Sequence, residues 1–424
     1  MSTEEKTRLV PKLRFPEFRE AAPWQPVSLG EASIAVTERV GTKKLTPVSI
    51  SAGIGFVPQA EKFGRDISGN QYQLYTLVKD GDFVYNKGNS LKFPEGCIYL
   101  LQGWGEVAAP NVFICFRLKS DYSNGFFQNC FESNAHGKQL KKHITSGARS
   151  NGLLNISKDA FFGIEIPTPS SKEQQKIADC LSSLDELITA QARKVEALKT
   201  HKKGLMQQLF PREGETQPRL RFPEFRDAEE WIATMLGSIA SFSSGGTPSK
   251  DNPEYWNGTI PWVSASSMYD LLISKADHYV TPLAIGNGTR IAKKGALLIL
   301  VRGSMLFKRV PICIAAIDVA FNQDVKALNI APEVDNTFLI YQLLTNEDRI
   351  PINETGIGAG KIELADLKEL DLFIPSKLEQ CRIGECLSNF DTFITAATKE
   401  LETLKTHKKA LMQQLFPSIE KIAH

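Results

Sequence analysis

The chain has 424 residues, enough for two or three domains with cores of their own. Its net charge of +2 excludes a uniformly basic nucleic-acid binder, so any nucleic-acid surface must be local. Hydrophobic residues make up 42% of the chain, and its longest apolar stretches, such as 295–301 and 310–317, are far too short to cross a bilayer.

The first residues, MSTEEKTRLVPK, lack the apolar core of a signal peptide. The seven cysteines form neither a CxxC pair nor a cluster with histidine. We therefore expect a cytoplasmic protein with reduced thiols, without a metal site and without membrane contact.

Three segments of the first half return in the second half, 206 or 207 residues later. They are PKLRFPEFRE at 11–20, which returns as PRLRFPEFRD at 218–227, LKTHKK at 198–203, which returns at 404–409, and LMQQLFP at 205–211, which returns at 411–417. Between them, residues 31–145 and 238–352 share almost no identity. This pattern favours a common frame that carries two different binding surfaces. Free drift after an old duplication is the alternative, although drift would also erode the matching helices.

Two long helices are predicted, at Ser171–Leu209 and Lys377–Leu415, because both stretches are rich in helix-forming residues and contain no proline. Their apolar residues alternate four and three apart, as in a coiled coil, with interruptions at Gln191, Lys202 and Lys408. Each helix begins acidic and ends basic, which favours antiparallel pairing within the chain, although the helix dipole alone also suits this pattern. A parallel homodimer is the alternative.

The regions outside the helices contain many short apolar runs bounded by glycine and proline, which predict strands. The predicted fold class is therefore α+β: two α/β domains separated by two long helices that form an antiparallel coiled coil, with a pseudo-twofold internal repeat. Gly356-Ile-Gly-Ala-Gly-Lys361 lacks the spacing of a phosphate-binding loop, so we expect a flexible loop there. Trp256 and Trp262 are expected to pack in the core or against loops.

The second half resembles a known family. Ser244-Gly-Gly-Thr-Pro-Ser249, YWNGTIPW at 255–262 and Phe321-Asn-Gln323 are similar to segments of the target recognition domains in specificity subunits of Type I restriction-modification systems. The order of domain, helix, domain, helix is also similar, over nearly the whole chain. The first half lacks the GGTP opening, so it resembles a different subtype. The resemblance implies recognition domains at 1–170 and 212–376, helical spacers at 171–211 and 377–417, and a tail at 418–424.

The resemblance further implies a non-catalytic DNA reader. Each recognition domain would read one half of a bipartite target, and the helices would set the spacer and dock methyltransferase subunits. The implied partners are double-stranded DNA, two methyltransferase subunits that carry S-adenosylmethionine, and motor-nuclease subunits. The chain itself has no HExxH or GxSxG motif, and we expect no cofactor on it. The alternatives are a two-headed scaffold that binds proteins instead of DNA, and a single-chain restriction-methylation enzyme.

Phosphate contacts need lysine, arginine and small polar groups, and base reading needs arginine, amides and hydroxyls. The DNA-binding candidates in the first half are Lys87, Asn89, Lys92, Lys138, Lys141, Lys142 and Arg149. The candidates in the second half are Thr247, Ser249, Lys250, Arg302, Lys308, Arg309 and Lys361. Solvated surface charge is the alternative for each residue. The sequence does not predict the DNA target or the spacer length.

Overall fold

A computed structural model of the protein describes residues 9–88, 93–144, 154–355 and 358–417. These residues fall into two units: the first unit lies within Met1–Ala192 and Glu400–His424, and the second unit within Arg193–Lys399. The two long helices have the bounds that the sequence predicts, Ser171–Leu209 and Lys377–Leu415, and each contributes residues to both units. The predicted division of the chain into five segments stays a prediction.

The first unit contains short strands and helices before its share of the long helices. They are β1 (Gln25–Ser28), α1 (Leu29–Ala32), β2 (Ser33–Ala35), β3 (Thr46–Ser51), β4 (Gly55–Pro58), α2 (Gln59–Phe63), β5 (Thr76–Lys79), β6 (Asp82–Asn86), β7 (Cys97–Leu100), β8 (Glu106–Ala109), β9 (Ile114–Leu118), α3 (Asn124–Glu132), α4 (Gly137–Lys141), α5 (Lys158–Phe162), β10 (Glu165–Thr168) and the beginning of α6 (Ser171–Leu209).

The second unit contains the end of α6 and a similar series. It comprises β11 (Ile232–Met235), α7 (Leu236–Ile239), β12 (Ala240–Ser244), β13 (Trp256–Val263), β14 (Leu272–Ile273), β15 (His278–Val280), β16 (Arg290–Ala292), β17 (Leu297–Leu300), β18 (Arg302–Gly303), β19 (Ile312–Ala315), β20 (Val319–Phe321), β21 (Val325–Ile330), α8 (Asn336–Thr345), β22 (Asn353–Thr355), β23 (Ala359–Lys361), α9 (Leu364–Lys368), β24 (Asp371–Ile374) and the beginning of α10 (Lys377–Leu415).

The sheets of the two units have the same strand order. In the first unit the orders are β2-β9-β6-β7 and β4-β3-β8-β5, and in the second unit they are β12-β21-β17-β19 and β15-β13-β20-β16. The central pair of the second sheet is parallel in both units, β3 with β8 and β13 with β20, and the other pairs of these sheets are antiparallel. The second unit adds β14 at one edge and a small sheet, β18-β23-β22.

A buried ion pair at the start of each long helix includes an arginine of the repeated segments 11–20 and 218–227. This contact explains why the two segments have stayed alike. In the first unit, Arg14 donates two hydrogen bonds of 2.7 Å to the Glu173 carboxylate, and the Trp24 indole donates a third at 3.2 Å. Because a buried carboxylate is costly unless it is paired and hydrogen-bonded, Glu173 requires these donors. Its place in the first turn of α6 also suits the helix dipole.

The second unit contains the same arrangement. Arg221 donates to the Glu379 carboxylate at 2.8 and 2.7 Å, and the Trp231 indole donates at 3.3 Å. The repeated arginine and tryptophan therefore hold the repeated segment of each unit against the first turn of a long helix.

The ends of the long helices pack within each unit. In the first unit, Ile177 and Leu181 near the start of α6 share a core with Leu415 at the end of α10. In the second unit, Ile383 at the start of α10 shares a core with Leu209 at the end of α6. In each unit, the beginning of one long helix therefore lies beside the end of the other.

The lysines that interrupt the apolar seam make ion pairs between the helices. In the second unit, Lys202 of α6 lies 2.7 Å from the Asp391 carboxylate of α10. In the first unit, Lys408 of α10 lies 2.7 Å from the Asp185 carboxylate of α6. Burial alone would lower the pKa of Lys408, but its hydrogen bonds to Asp185 and Glu132 outweigh burial and raise it. These lysines are thus part of the packing between the helices.

Candidate nucleic-acid interface

The Gly245-Gly246 pair carries the chain from β12 into the loop that holds three of the candidate residues. A Cβ atom at Gly245 would collide with the carbonyl oxygen of Phe321, and one at Gly246 would collide with the carbonyl oxygen of Gly288. Only glycine therefore allows the loop to lie this close to its neighbours. The GGTP segment is thus a structural requirement for placing the residues that follow it.

Two tryptophans hold the loop that follows Gly246 by hydrogen bonds to its backbone. The Trp262 indole donates a hydrogen bond of 3.0 Å to the Gly246 carbonyl, and the Trp256 indole donates one of 3.0 Å to the Ser249 carbonyl. Their rings meet edge to face, with centroids 5.4 Å apart. The predicted packing role of both tryptophans is confirmed, and it leaves the polar side chains of the loop exposed.

Thr247 is joined to a second polar turn. Its hydroxyl donates a hydrogen bond of 2.7 Å to the side-chain oxygen of Gln323, which is exposed. The neighbouring Asn322 is buried, and its side chain accepts hydrogen bonds from two backbone N–H groups of the turn, so it shapes the turn that presents Gln323. Lys326 donates to the Gln323 carbonyl at 3.0 Å and to the Ser244 hydroxyl at 2.9 Å, and burial lowers its pKa.

Arg302 and Lys361 lie opposite each other on neighbouring strands of the small sheet of the second unit. They are register partners on β18 and β23. Arg302 is exposed, whereas the ammonium of Lys361 lies 2.6 Å from the Glu363 carboxylate. The expectation of a flexible loop at 356–361 is wrong for Ala359–Lys361, because these residues pair as a strand. Residues 356 and 357 lie outside the described part.

Backbone pairing brings Arg302 towards the polar turn. The N–H group of Val301 donates a hydrogen bond of 2.8 Å to the carbonyl of Asp324, the residue after Gln323. Arg302 is the next residue, so its backbone lies beside the turn that holds Gln323, and we call Thr247, Gln323 and Arg302 the polar face of the second unit. Its amide, hydroxyl and guanidinium groups are of the types that bind base edges and phosphates.

The other candidates of the second unit differ in their surroundings. Ser249 and Lys250 are exposed on the glycine-led loop. Lys308 is exposed after the 3-10 turn Ser304–Phe307. Arg309 donates a hydrogen bond of 2.7 Å to the Met268 carbonyl, so its guanidinium is already engaged in holding a neighbouring loop.

In the first unit, Lys87 follows the end of β6. Its ammonium donates a hydrogen bond of 3.0 Å to the Ile156 carbonyl, and its own carbonyl accepts from the Leu154 N–H group at 2.9 Å. The preceding Asn86 donates to the Ile50 carbonyl at 3.0 Å and accepts from the Gly88 N–H group at 2.7 Å. Lys87 is therefore half-buried at a turn that its neighbours hold in place.

Lys138, Lys141 and Lys142 lie on and just after α4 and are exposed. They form a basic cluster, as the sequence suggests. The candidates Asn89, Lys92 and Arg149 lie outside the described residues. As DNA contacts, all of the candidates stay predictions.

Sequence reasoning missed Gln323 of the polar face, and also Lys326, which donates to the Gln323 carbonyl. Gln323 stands in the Phe321-Asn-Gln323 segment that carries the resemblance, so its signal was present in the sequence. Lys326 has no signal, because it lies on a strand and its role depends on the register that pairs it with Ser244.

Within the described ranges, no group of three or more His, Cys, Asp or Glu side chains could hold a metal ion. None of the helices that the structure describes is long and apolar enough to cross a membrane.

Comparison with protein families gives one match over most of the chain. The family described as "Type I restriction modification DNA specificity domain" matches residues 68–200 and 228–406. The two matched segments fall on the two halves of the repeat.

Individual relatives agree with this match. The chain is 33% identical, over 42% of its length, to the EcoR124I/EcoR124II specificity subunit of a type I restriction enzyme from Escherichia coli, and this match spans 45% of that protein. It is 24% identical, over 66% of its length, to the MjaVIII specificity subunit of a type I restriction enzyme from Methanocaldococcus jannaschii, of which it spans 67%. The chain thus spans less than half of the first of these relatives.

The fold also matches a solved structure. The crystal structure of a Type-I restriction-modification system S subunit from M. genitalium superimposes with a TM-score of 0.58, covering 96% of this chain and 99% of that one at 16% sequence identity. At this identity the likeness concerns the fold alone.

Proposed function

The chain belongs to the family of Type I restriction-modification DNA specificity domains, and from this premise we propose that it is a non-catalytic subunit that reads a bipartite DNA target. Each unit would read one half of the target in double-stranded DNA. Two methyltransferase subunits, which bind S-adenosylmethionine, and motor-nuclease subunits would supply the catalysis in the cytoplasm. One observation carries the proposal: two units of the same strand order are built from residues 31–145 and 238–352, which share almost no identity.

In the second unit, we assign the reading to the polar face of Thr247, Gln323 and Arg302, with Lys361, Lys250 and Lys308 as phosphate contacts. Gln323 and Arg302 have the hydrogen-bonding groups that pair with adenine and guanine edges in the major groove. In the first unit, we assign phosphate contacts to the cluster on α4. Lys87 is half-buried and its ammonium already donates to the Ile156 carbonyl, so we assign it no phosphate contact. The hydrogen bond that orients Gln323 supports its assignment, because an oriented group loses less entropy on binding.

The long helices are proposed to form an antiparallel coiled coil with pseudo-twofold symmetry, which sets the spacer between the half-sites and docks the methyltransferase subunits. The matched ion pairs Lys202–Asp391 and Lys408–Asp185 support this pairing. A helix of 39 residues is roughly 58 Å long, more than one turn of B-DNA at about 34–36 Å. Cysteine replacements at Ile177 and Leu415 should crosslink within one chain; crosslinks only between chains would indicate the parallel homodimer.

The proposal is tested by expressing the full chain with the methyltransferase encoded beside it and mapping methyladenine across the genome. We expect two short motifs at a fixed separation. A chimera in which residues 238–352 replace 31–145 should then methylate a target whose two halves are the same motif. Methylation at one contiguous motif, or a chimera with an unchanged target, would contradict the two-unit reader.

The scaffold alternative makes a different prediction. If the chain binds only proteins, its complex with the methyltransferase will show no preference for duplexes that contain the mapped motifs over random duplexes. Competition at several salt concentrations decides this, because non-specific binding falls steeply with salt.

A further inference from the structure

The sheets of the two units can be compared residue by residue, because they share one register. The turn before β6 corresponds to the turn before β17, since an asparagine at the start of α3 or α8 donates to the glycine carbonyl of each turn, Gly81 or Gly295. Two residues after these glycines, β6 pairs with Phe116 of β9, and β17 pairs with Leu328 of β21. Phe116 therefore corresponds to Leu328.

This register identifies the first-unit counterpart of Gln323. Gln323 lies five residues before Leu328, and Asn111 lies five residues before Phe116. The second sheet of each unit gives the same answer independently. Its parallel pair contains β8 or β20, and these strands end two residues before Asn111 and Gln323. Asn111 is exposed and has the same amide group as Gln323.

Arg39 occupies the place of the residue that orients Gln323. In the second unit, the Thr247 hydroxyl, on the loop after β12, donates to the Gln323 side-chain oxygen. In the first unit, Arg39, on the loop after β2, donates from Nη1 to the Asn111 side-chain oxygen and to the Leu74 carbonyl. β2 and β12 are the corresponding edge strands. In each unit, the loop that leaves this strand therefore bonds the corresponding amide.

The backbone on both sides of Arg39 is held by pairing. The Leu77 N–H group donates to the Glu38 carbonyl at 2.8 Å, and the Val40 N–H group donates to the Tyr75 carbonyl at 2.9 Å. The side chain of Arg39 is nevertheless exposed. Because its backbone and its side chain are both held, the guanidinium loses less entropy when it binds a ligand.

The guanidinium comes from a different strand end in the second unit. Lys87 and Val301 each lie six residues after the glycine turn, and their carbonyls each accept a backbone N–H group, at 2.9 and 2.8 Å. The next residue is Arg302 in the second unit, but it is Gly88 in the first unit and has no side chain. Arg39 thus supplies the guanidinium that the end of β6 lacks.

The hydrogen bonds of Arg39 leave one edge of its guanidinium available. Within the described residues, both of its side-chain bonds use Nη1. Nε and Nη2 therefore keep the paired N–H groups that fit O6 and N7 of guanine in the major groove. Because a guanidinium only donates, it holds Asn111 with the oxygen towards itself, and the Nδ2 group keeps its two donors.

We infer that Arg39 and Asn111, which we call the first-unit pair, read bases of one half-site, with Arg39 on a guanine; this rests on the proposed function. Neither residue is among the candidates that the sequence indicated. Each unit then has an amide at the corresponding place and a guanidinium near it, brought there by different strand ends. A change in the strand end that carries the guanidinium alters which base pair it reaches, so two units of one fold can read different half-sites.

Mapping methyladenine with the full chain and its methyltransferase tests the inference. The chimera described above identifies the first-unit half-motif, which should contain a G·C pair. Arg39→Ala should lower the preference for that pair about 10–100-fold and leave the other half-motif unchanged. Competition between duplexes that differ at this base pair measures the change. Asn111→Ala should also relax the first half-motif, and the double variant should lose less than the two single effects combined, because the side chains are hydrogen-bonded.

Two further variants separate base reading from other roles. Arg39→Lys keeps the charge but not the paired donors, so it should keep the salt dependence of binding and still relax the G·C pair. Arg19→Ala is the matched control, since it removes another exposed arginine of the first unit, and it should change neither property. Hydrogen exchange of the Leu77 amide monitors the loop. If Arg39→Ala lowers its protection, Asn111→Ala decides, because that variant keeps the bond from Arg39 to the Leu74 carbonyl.

Four outcomes would overturn the inference. The first half-motif could lack a G·C pair, the variants could relax the second half-motif instead, or they could behave like Arg19→Ala. Arg39→Ala could also lower the salt slope by about one without relaxing any base pair, which would make Arg39 a phosphate contact. In all four cases the unaltered chain still methylates two motifs at a fixed separation, so the proposed function stands. If the unaltered chain yields no bipartite motif, the proposed function fails and this inference fails with it.

Discussion

The two units have the same strand order, but the side chains in their cores differ. The first unit has an aromatic core, in which Phe83 stacks on Phe116 with centroids 5.3 Å apart and Tyr85 stacks on Phe161 at 4.6 Å. At the corresponding place the second unit has Leu297–Leu300, a fully buried aliphatic strand. The comparison shows that the fold depends on which positions are buried more than on which apolar residue occupies them.

A few polar contacts are nevertheless the same in both units. The side chain of Asn124 donates to the Gly81 carbonyl at 3.4 Å, and that of Asn336 donates to the Gly295 carbonyl at 2.8 Å. Both glycines have positive φ, 93° and 88°, which other residues rarely adopt. Each pair ties a helix start to the turn before a central strand. The units thus retain contacts that fix the backbone, while their polar faces have diverged.

The buried ion pairs allow the strongest test of this equivalence. Arg14→Ala should destabilise the first unit by about 3–5 kcal/mol, because it leaves the Glu173 carboxylate buried without its main partner. Arg221→Ala should do the same to the second unit through Glu379. Hydrogen exchange followed by mass spectrometry measures the loss of protection in each unit separately.

The matched controls are exposed arginines of the same segments, Arg19→Ala and Arg226→Ala, which should leave protection unchanged. A loss of protection spread equally over both units after Arg14→Ala would show that the two ion pairs do not stabilise their units independently.

Acid should destabilise the first unit more than the second. His136 is fully buried in the first unit, among rings that include Tyr85 and Phe131, and burial lowers its pKa to about 4 from 6.5. The unfolded chain then binds the proton more readily, so this stability is present above pH 6.5 and is lost as the pH falls towards 4. We expect the first unit to lose about 2 kcal/mol by pH 5, measured as unit-resolved hydrogen exchange.

His136→Phe keeps a ring in the core and removes the titrating group, so the first unit of this variant should lose less stability between pH 6.5 and 5. His143→Phe, at an exposed position of the same unit, is the control for the replacement of a histidine by phenylalanine. If the unaltered first unit is no more sensitive than the second over this range, burial of His136 has no such effect.

The long helices could be predicted to the residue because their signals are local: helix-forming composition, a heptad pattern and prolines outside both ends. The lysines at 202 and 408 appeared only as interruptions, since their partners Asp391 and Asp185 are far away in sequence. The strand order was not predicted, because short strands such as Leu272–Ile273 acquire their places from pairing across the unit.

The sequence predicted the polar face only in part, again because contacts between distant segments place its members. Composition and glycine spacing indicated Thr247 and Arg302, but the position of Arg302 beside the Gln323 turn depends on the hydrogen bond between Val301 and Asp324. Arg309 has the same chemistry as Arg302, yet it is bonded to the Met268 carbonyl. Sequence cannot separate two arginines whose difference arises from tertiary contacts.

That difference between the arginines yields the smallest and most specific prediction. Arg302 is exposed at the polar face, so Arg302→Ala should weaken binding to the mapped target by about tenfold and lower the slope of log affinity against log salt by about one if it contacts a phosphate. Arg309→Ala should change the slope little, because its Nη2 already donates to a carbonyl 2.7 Å away. Fluorescence anisotropy of the complex with labelled duplex at several salt concentrations measures both. If Arg302→Ala also relaxes the preference at one base pair of the second half-site, the guanidinium reads a base. If only Arg309→Ala has an effect, the assignment of the polar face is wrong. The arginine that is bonded to the Met268 carbonyl would then be the one that reaches DNA.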